Sequence, residues 1–242
     1  MLERLNILIA RTCAYQAEHP ALGNWLFETG VTFGKDNRVG DSWTVHDVKH
    51  RIHTSRNSMA RWAIDNKVDY LCFVDSDMAP DYRVMYDALP KTEQPNARPW
   101  ARPFIKSTLD FMLTHPLVGV VASPAVSGPP TSKINVWIPD ERGPKPHNLT
   151  HEEYAALKPC FMPVRAIGTG LMMIDVKVFN EIEEPWFDDI YYPGSKMYDA
   201  DISQDCAFCF KVAEAGFGVY ANLFAPAKHM KIHGYEVPDF GV

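Results

Sequence analysis

No stretch of this sequence approaches the roughly 18 apolar residues that a membrane-spanning helix needs. The apolar run near its start, LNILIA, is too short for a secretory signal and follows an acidic residue, so a cytoplasmic protein is expected. Without a secretion signal, the glycosylation sequon Asn148-Leu149-Thr150 reads as chance. Cysteine is scarce: Cys13, Cys72, Cys160, Cys206 and Cys209 make five, an odd number at irregular spacing. That argues against a disulfide framework and favours a reducing compartment. Cys206 and Cys209 form a C-x-x-C, but no second pair exists to complete a zinc site, and they read as two buried helix residues. Positive charge is not in excess, since 24 Lys and Arg stand against 30 Asp and Glu. A net charge of −6 does not draw a nucleic-acid backbone to the molecule as a whole, and it suits a carboxylate-rich site that takes a cation.

What is present fits one α/β domain. The chain has 242 residues, 46% of them hydrophobic and 22% charged, which is ordinary globular usage. LNILIA (5–10) reads as a buried first strand, and a helix end followed by a second strand is expected around Trp25 to Phe33. Thr54 or Ser55 is the expected cap of a helix through SRNSMARWAIDN. VDYLCFV (68–74) is apolar apart from Asp69, as in a central strand covered on both faces. Four prolines between 89 and 103 mark a loop, a helix is expected over 104–114, and VGVVASPAV (118–126) is a further strand. Residues 127–165 form a long polar connection broken by INVWI and HEEYAAL. LMMID then hands over to a short helix. SQDCAFCFKVAEA (203–215) is a helix with Ser203 as N-cap and Gly216 as stop, and GVYANLFA is the last strand. Strands alternating with helices point to three layers.

The chemistry concentrates at Asp75-Ser76-Asp77, directly behind the buried run YLCFV. Open α/β sheets bind ligands at the carboxyl ends of their strands. Two carboxylates at i and i+2 of an extended segment project to one side, and hard cations shared with phosphates want such oxygens. Like charges there repel unless a cation or a Lys or Arg offsets them.

SRNSMARWAIDNKVDYLCFVDSDM resembles the donor-binding half of GT-A glycosyltransferases, where a helix opening on Arg-Asn precedes the strand that carries a D-x-D. AIGTGLMMIDVKVF resembles their acceptor-side strand, and ISQDCAFCFKVAEAGFGVYANLFAPAKH their C-terminal segment. Small bacterial and phage enzymes of family 2 are the most similar in style. The resemblance implies a Rossmann-like three-layer α/β/α sandwich with a mixed, mostly parallel central sheet. It implies one domain over 1–242, with a donor half (1–126) and an acceptor half (127–242). It also implies an Mn²⁺ or Mg²⁺ ion held by Asp75, Asp77 and His229, with His233 as the rival histidine. Arg56, Asn57, Asp75, Ser76, Gly170 and Lys231 would face the donor, and Lys228 would help neutralise the leaving diphosphate. Asp205 would be the base of an inverting transfer, and without that role a retaining path stays open. Here Gln204-Asp205 stands where the family commonly has Glu-Asp, so Asp199 and Asp201 are kept as substitutes.

Gly168 and Gly170 would let the backbone approach the donor sugar. Trp137, Trp186 and Phe187 are candidates for stacking, although aromatics more often pack. The function so read is transfer of a sugar from a nucleoside diphosphate sugar, a UDP-sugar foremost, to a carbohydrate, protein or modified-DNA hydroxyl. A DNA acceptor would use Arg98, Arg102 and Lys106. A nucleotidyltransferase would want glycine after the first strand, which Arg11-Thr12-Cys13-Ala14-Tyr15 lacks. A non-catalytic nucleotide-sugar binder is the third reading.

Overall fold

In a computed structural model, which describes residues 4–12, 20–47, 51–84, 97–126, 133–139, 146–188 and 203–230, the run LNILIA opens strand β1 (Leu5–Thr12). Helix α1 (Pro20–Lys35) buries Leu22, Trp25, Thr29 and Phe33 along one stripe. The second strand therefore does not lie near Phe33: it is β2 (Val39–Asp47). Gly30 and Gly34 dilute the helical signal, but they sit where a side chain would meet nothing. Helix α2 (Ile52–Asp65) also starts earlier than expected. Neither Thr54 nor Ser55 caps it, because Ser55 N already donates to Arg51 O at 3.0 Å inside the first turn.

Strand β3 (Tyr70–Asp75) and the short β4 (Met78–Ala79) flank the aspartate pair. Helix α3 (Phe104–Thr114) and strand β5 (Val118–Ala122) follow. In the connection beyond them, β6 (Val136–Ile138) and β7 (His147–Asn148) precede α4 (His151–Ala155), which Thr150 and Glu153 close with a capping box. Then come β8 (Phe161–Pro163), β9 (Ala166–Ile167), β10 (Leu171–Asp175) and α5 (Val178–Glu181). Helix α6 (Gln204–Glu214) is capped by Ser203 and ends at Gly216, whose φ is +89°. Strands β11 (Gly218–Asn222) and β12 (Lys228–His229) complete the described chain.

The main sheet has the order β2-β1-β3-β10-β5-β11-β8. Five strands run parallel, while β10 and β8 run against them. Alternation along the strands builds an apolar layer on each face. Leu8, Ala10, Leu71, Phe73, Met172 and Ile174 pack with α2 and α6 on one side. Ile7, Ile9, Cys72, Val74, Leu171 and Met173 pack with α1 and α3 on the other. This is the mixed, mostly parallel three-layer α/β architecture expected. Two small sheets, β12-β4 and β7-β6-β9, lie beside it. Among the described residues no helix is long and apolar enough to cross a membrane.

Candidate functional site

The ends of β1 and β3 meet in register, with Thr12 opposite Asp75. The Thr12 hydroxyl donates to Asp75 Oδ1. Asp75 N donates to Gly170 O and Ser76 N to Thr12 O, both at 2.9 Å, so the backbone around Asp75 is tied to the strands on either side. From α2 comes Arg56, only 2% exposed. Its Nη2 lies 3.3 Å from Asp75 Oδ1 and its Nη1 2.7 Å from Asp205 Oδ1. A buried guanidinium that bridges two carboxylates offsets charges which could not otherwise share this space. Asp205, in the first turn of α6, also accepts from Thr169 Oγ1 at 2.8 Å and from Thr169 N at 3.2 Å. Burial pushes the Asp75 carboxyl above its ordinary value; Arg56 and Thr12 pull it back, and the charges of Asp205 and Asp77 push it up.

Asp77 meets a different partner. The pairing of β12 with β4 sets His229 opposite Met78, one residue past Asp77. Met230 N donates to Asp77 O at 2.6 Å, and His229 Nε2 lies 2.9 Å from Asp77 Oδ2. The other ring nitrogen, Nδ1, is 3.2 Å from Val126 O. A carbonyl only accepts, so Nδ1 carries a hydrogen. Nε2 then faces a carboxylate either with a second proton or across a shared cation. Both side chains keep some access to solvent, 18% for His229 and 25% for Asp77. Among the described residues no three His, Cys, Asp or Glu side chains converge as a complete metal cage.

No family model matches this sequence, and no curated protein sequence does. Solved structures do match. A197 from STIV aligns over 98% of this chain and 97% of its own at 15% identity, with a TM-score of 0.55. CMP:2-keto-3-deoxy-manno-octonic acid synthetase complexed with CTP covers 90% of this chain and 88% of its own at 10% identity and a TM-score of 0.43. A Drosophila β1,4-galactosyltransferase 7 complexed with manganese, UDP-Gal and xylobiose covers 89% of this chain and 64% of its own, at 14% identity and a TM-score of 0.37. The fold is of the GT-A type.

On this GT-A fold, several expected site residues have other work. The Asn57 amide donates to His53 O at 2.9 Å and Phe187 O at 2.6 Å, and accepts from Phe187 N at 3.0 Å. It holds the segment at Phe187 instead of facing open space. Trp186 and Phe187 are core residues, as the packing reading of these aromatics had it. Trp186 Nε1 lies 3.2 Å from both Phe179 O and Ile182 O, and Phe187 stacks on Phe208 with ring centres 4.4 Å apart. Trp137 sits half-buried in the small sheet, paired with Asn148 and Ala166. Gly168 answers to Asn135, whose Nδ2 would lie 2.5 Å from an added Cβ, and only Gly170 borders Asp75.

Cys206 and Cys209 are buried, with their thiols pushed up by burial, as the packing reading had them. Ser76 is buried at 6% exposure. Lys231, His233, Asp199 and Asp201 lie outside the described residues. Thr12 and Thr169 were missed in the sequence because a lone threonine carries no chemical signature. Strand register alone places one, and the turn between two glycines the other.

Proposed function

We propose that the protein is a metal-dependent glycosyltransferase that takes a sugar from a nucleoside diphosphate sugar, with UDP the first nucleotide to test. The carrying observation is His229 Nε2 at 2.9 Å from Asp77 Oδ2, with the far side of the ring held by the Val126 carbonyl. A carboxylate oxygen and an imidazole nitrogen whose other N–H is fixed by the main chain are ligand types that suit a divalent cation. The solvent-facing side leaves room for diphosphate and water oxygens, as Mn²⁺ or Mg²⁺ prefers. When bound, the cation would offset charge on the leaving diphosphate.

The chain's own residues do the rest. Asp77 and His229 would hold the cation, and Arg56 with Thr12 fixes the Asp75 carboxylate. Gly170, where a Cβ would lie 3.7 Å from Asp75 Oδ2, keeps the sugar side of the site open. A carbohydrate or protein hydroxyl is the favoured acceptor. Lys106 is paired with Asp110, and Arg102 lies over the Phe224 ring at 4.1 Å, so little of the basic cluster considered for DNA is left uncommitted.

The test is calorimetry of UDP with and without Mn²⁺. Asp77→Ala and His229→Ala are each expected to weaken the Mn²⁺-dependent affinity by at least about tenfold. Unchanged affinity in both variants would overturn the assignment. A panel of nucleotide sugars, followed by Mn²⁺-dependent hydrolysis, then names the donor.

A further inference from the structure

Asp205 is the acid that a GT-A reading makes the base, yet its oxygens are already occupied. Oδ1 accepts from Arg56 Nη1 at 2.7 Å and from Thr169 Oγ1 at 2.8 Å, and Oδ2 accepts from Thr169 N at 3.2 Å. A carboxylate offers about four lone-pair directions, so three are filled. All three bonds come from groups with no route to water: Arg56 is 2% exposed and Thr169 fully buried. To take a proton, Asp205 would have to give up the shorter of the two ion pairs that a buried guanidinium makes, leaving Arg56 with Asp75 at 3.3 Å. Arg56 Nε lacks a hydrogen-bond partner among the described residues, so the bond to Asp205 is one this cation does not replace readily.

The same bonds point to a different task. Thr169 sits between Gly168 and Gly170, and Gly170 O accepts from Asp75 N at 2.9 Å. Arg56 reaches the Asp75 side chain directly at 3.3 Å. Two lines thus run from α6 to Asp75, one through Thr169 and the Gly170 backbone, the other through Arg56. They join residues 149 apart in sequence on one side and 36 apart on the other. We propose that Asp205 is a positioning residue: it holds Arg56 and Thr169, and through them the Asp75 carboxylate, and it does not take the acceptor's proton. A different group, or the solvent, receives that proton. The proposal rests on the functional reading above only where turnover is measured.

Three measurements separate the roles. A positioning Asp205 means that Asp205→Asn lowers the melting temperature, weakens Mn²⁺–UDP binding several-fold and lowers transfer by roughly a hundredfold, the scale of an ångström-level misplacement. The transfer that remains keeps the wild-type pH profile. A variant that melts and binds Mn²⁺–UDP like the wild type but loses transfer, with the acidic limb of the pH profile gone from what remains, would mark Asp205 as the base and overturn the proposal. Thr169→Val is the gentler probe, removing one hydroxyl at nearly constant volume. It should raise donor KM and lower kcat together, whereas freeing a true base from a hydrogen bond would leave or increase kcat.

The third measurement needs no turnover. In a stability cycle of Arg56→Met with Asp205→Asn, the double variant should lose clearly less than the sum of the two single losses. Additive losses would overturn the coupling. If the wild-type protein turns over no nucleotide sugar at all, the functional reading falls, and the cycle still decides whether Asp205 and Arg56 act as one unit.

Discussion

Gly168 and Gly170 look equivalent in the sequence and answer to different neighbours. A Cβ at Gly168 would lie 2.5 Å from Asn135 Nδ2. Asn135 cannot yield, because its Oδ1 accepts from Ala125 N at 2.7 Å and its backbone bonds both Ala125 and Gly168 at 2.9 Å. Gly168→Ala should therefore cost about 1–3 kcal/mol, read as a lower urea midpoint. At Gly170 the nearest atom is Met78 Sδ at 3.2 Å, on a flexible side chain, so alanine there should fold well and act on donor affinity.

Asp81 makes a separate residue-scale claim. It is buried with φ +55°, and it accepts from Trp25 Nε1 at 2.8 Å and Phe104 N at 2.7 Å. Burial pushes its carboxyl up to about 7 against those two donors. Between about pH 4 and pH 7 the unfolded chain has lost this proton and the folded chain keeps it, so stability falls as pH rises through that window and levels off above it. Asp81→Asn removes the fall. The urea midpoint of the wild type relative to the variant should decline from pH 4 to pH 7, and a constant difference would count against the titration. The acidic and basic site residues were legible because charge in an apolar context is conspicuous. Thr12, Thr169, Asn135 and Asp81 matter through register and burial, which one chain's sequence does not display.

At the scale of elements, periodicity served where elements are long. Helix α3 occupies the expected 104–114, and β3, β10 and α6 fall where their patterns lie. Helix α1 escaped because two glycines interrupt it, although its buried stripe decides the matter in three dimensions. The strands that carry Met78 and His229, β4 and β12, are two residues each and exist only through tertiary pairing. What directs β12 to its place is the turn after β11. Asn222, fully buried, donates to Ser107 Oγ at 3.0 Å and Thr108 Oγ1 at 3.1 Å on α3, and accepts from Phe224 N at 3.1 Å. Further on, Ser123 Oγ donates to Ala225 O at 2.6 Å and Ala227 N to Pro124 O at 3.0 Å. Asn222→Ala leaves buried groups unpaired, at about 1–3 kcal/mol. It should also weaken Mn²⁺-dependent UDP binding by displacing His229, a residue it does not bond. Loss of stability with intact binding would show that β12 finds β4 without that anchor.

At the scale of the whole molecule, the donor half and acceptor half named from the sequence are not separable bodies. The antiparallel β10, from the second half, lies between β3 and β5 of the first and pairs with both. Its residues Leu171 to Ile174 are fully buried, with alternate side chains in the apolar layers on opposite faces of the sheet. A chain ending at residue 126 would keep β1, β2 and β3 but lose the strand that joins them to β5. It would also lose α6, which covers one face, together with Asp205 and His229, the described partners of Arg56 and Asp77 that lie beyond residue 126. Two long apolar edges would be left open, which favours aggregation over folding. The 1–126 fragment should therefore show no cooperative thermal transition and bind no UDP, with or without Mn²⁺. A sharp melt would mean that three parallel strands and three helices suffice as a core. Nucleotide binding by that fragment would mean that the site does not need His229, and the metal assignment would fall with it.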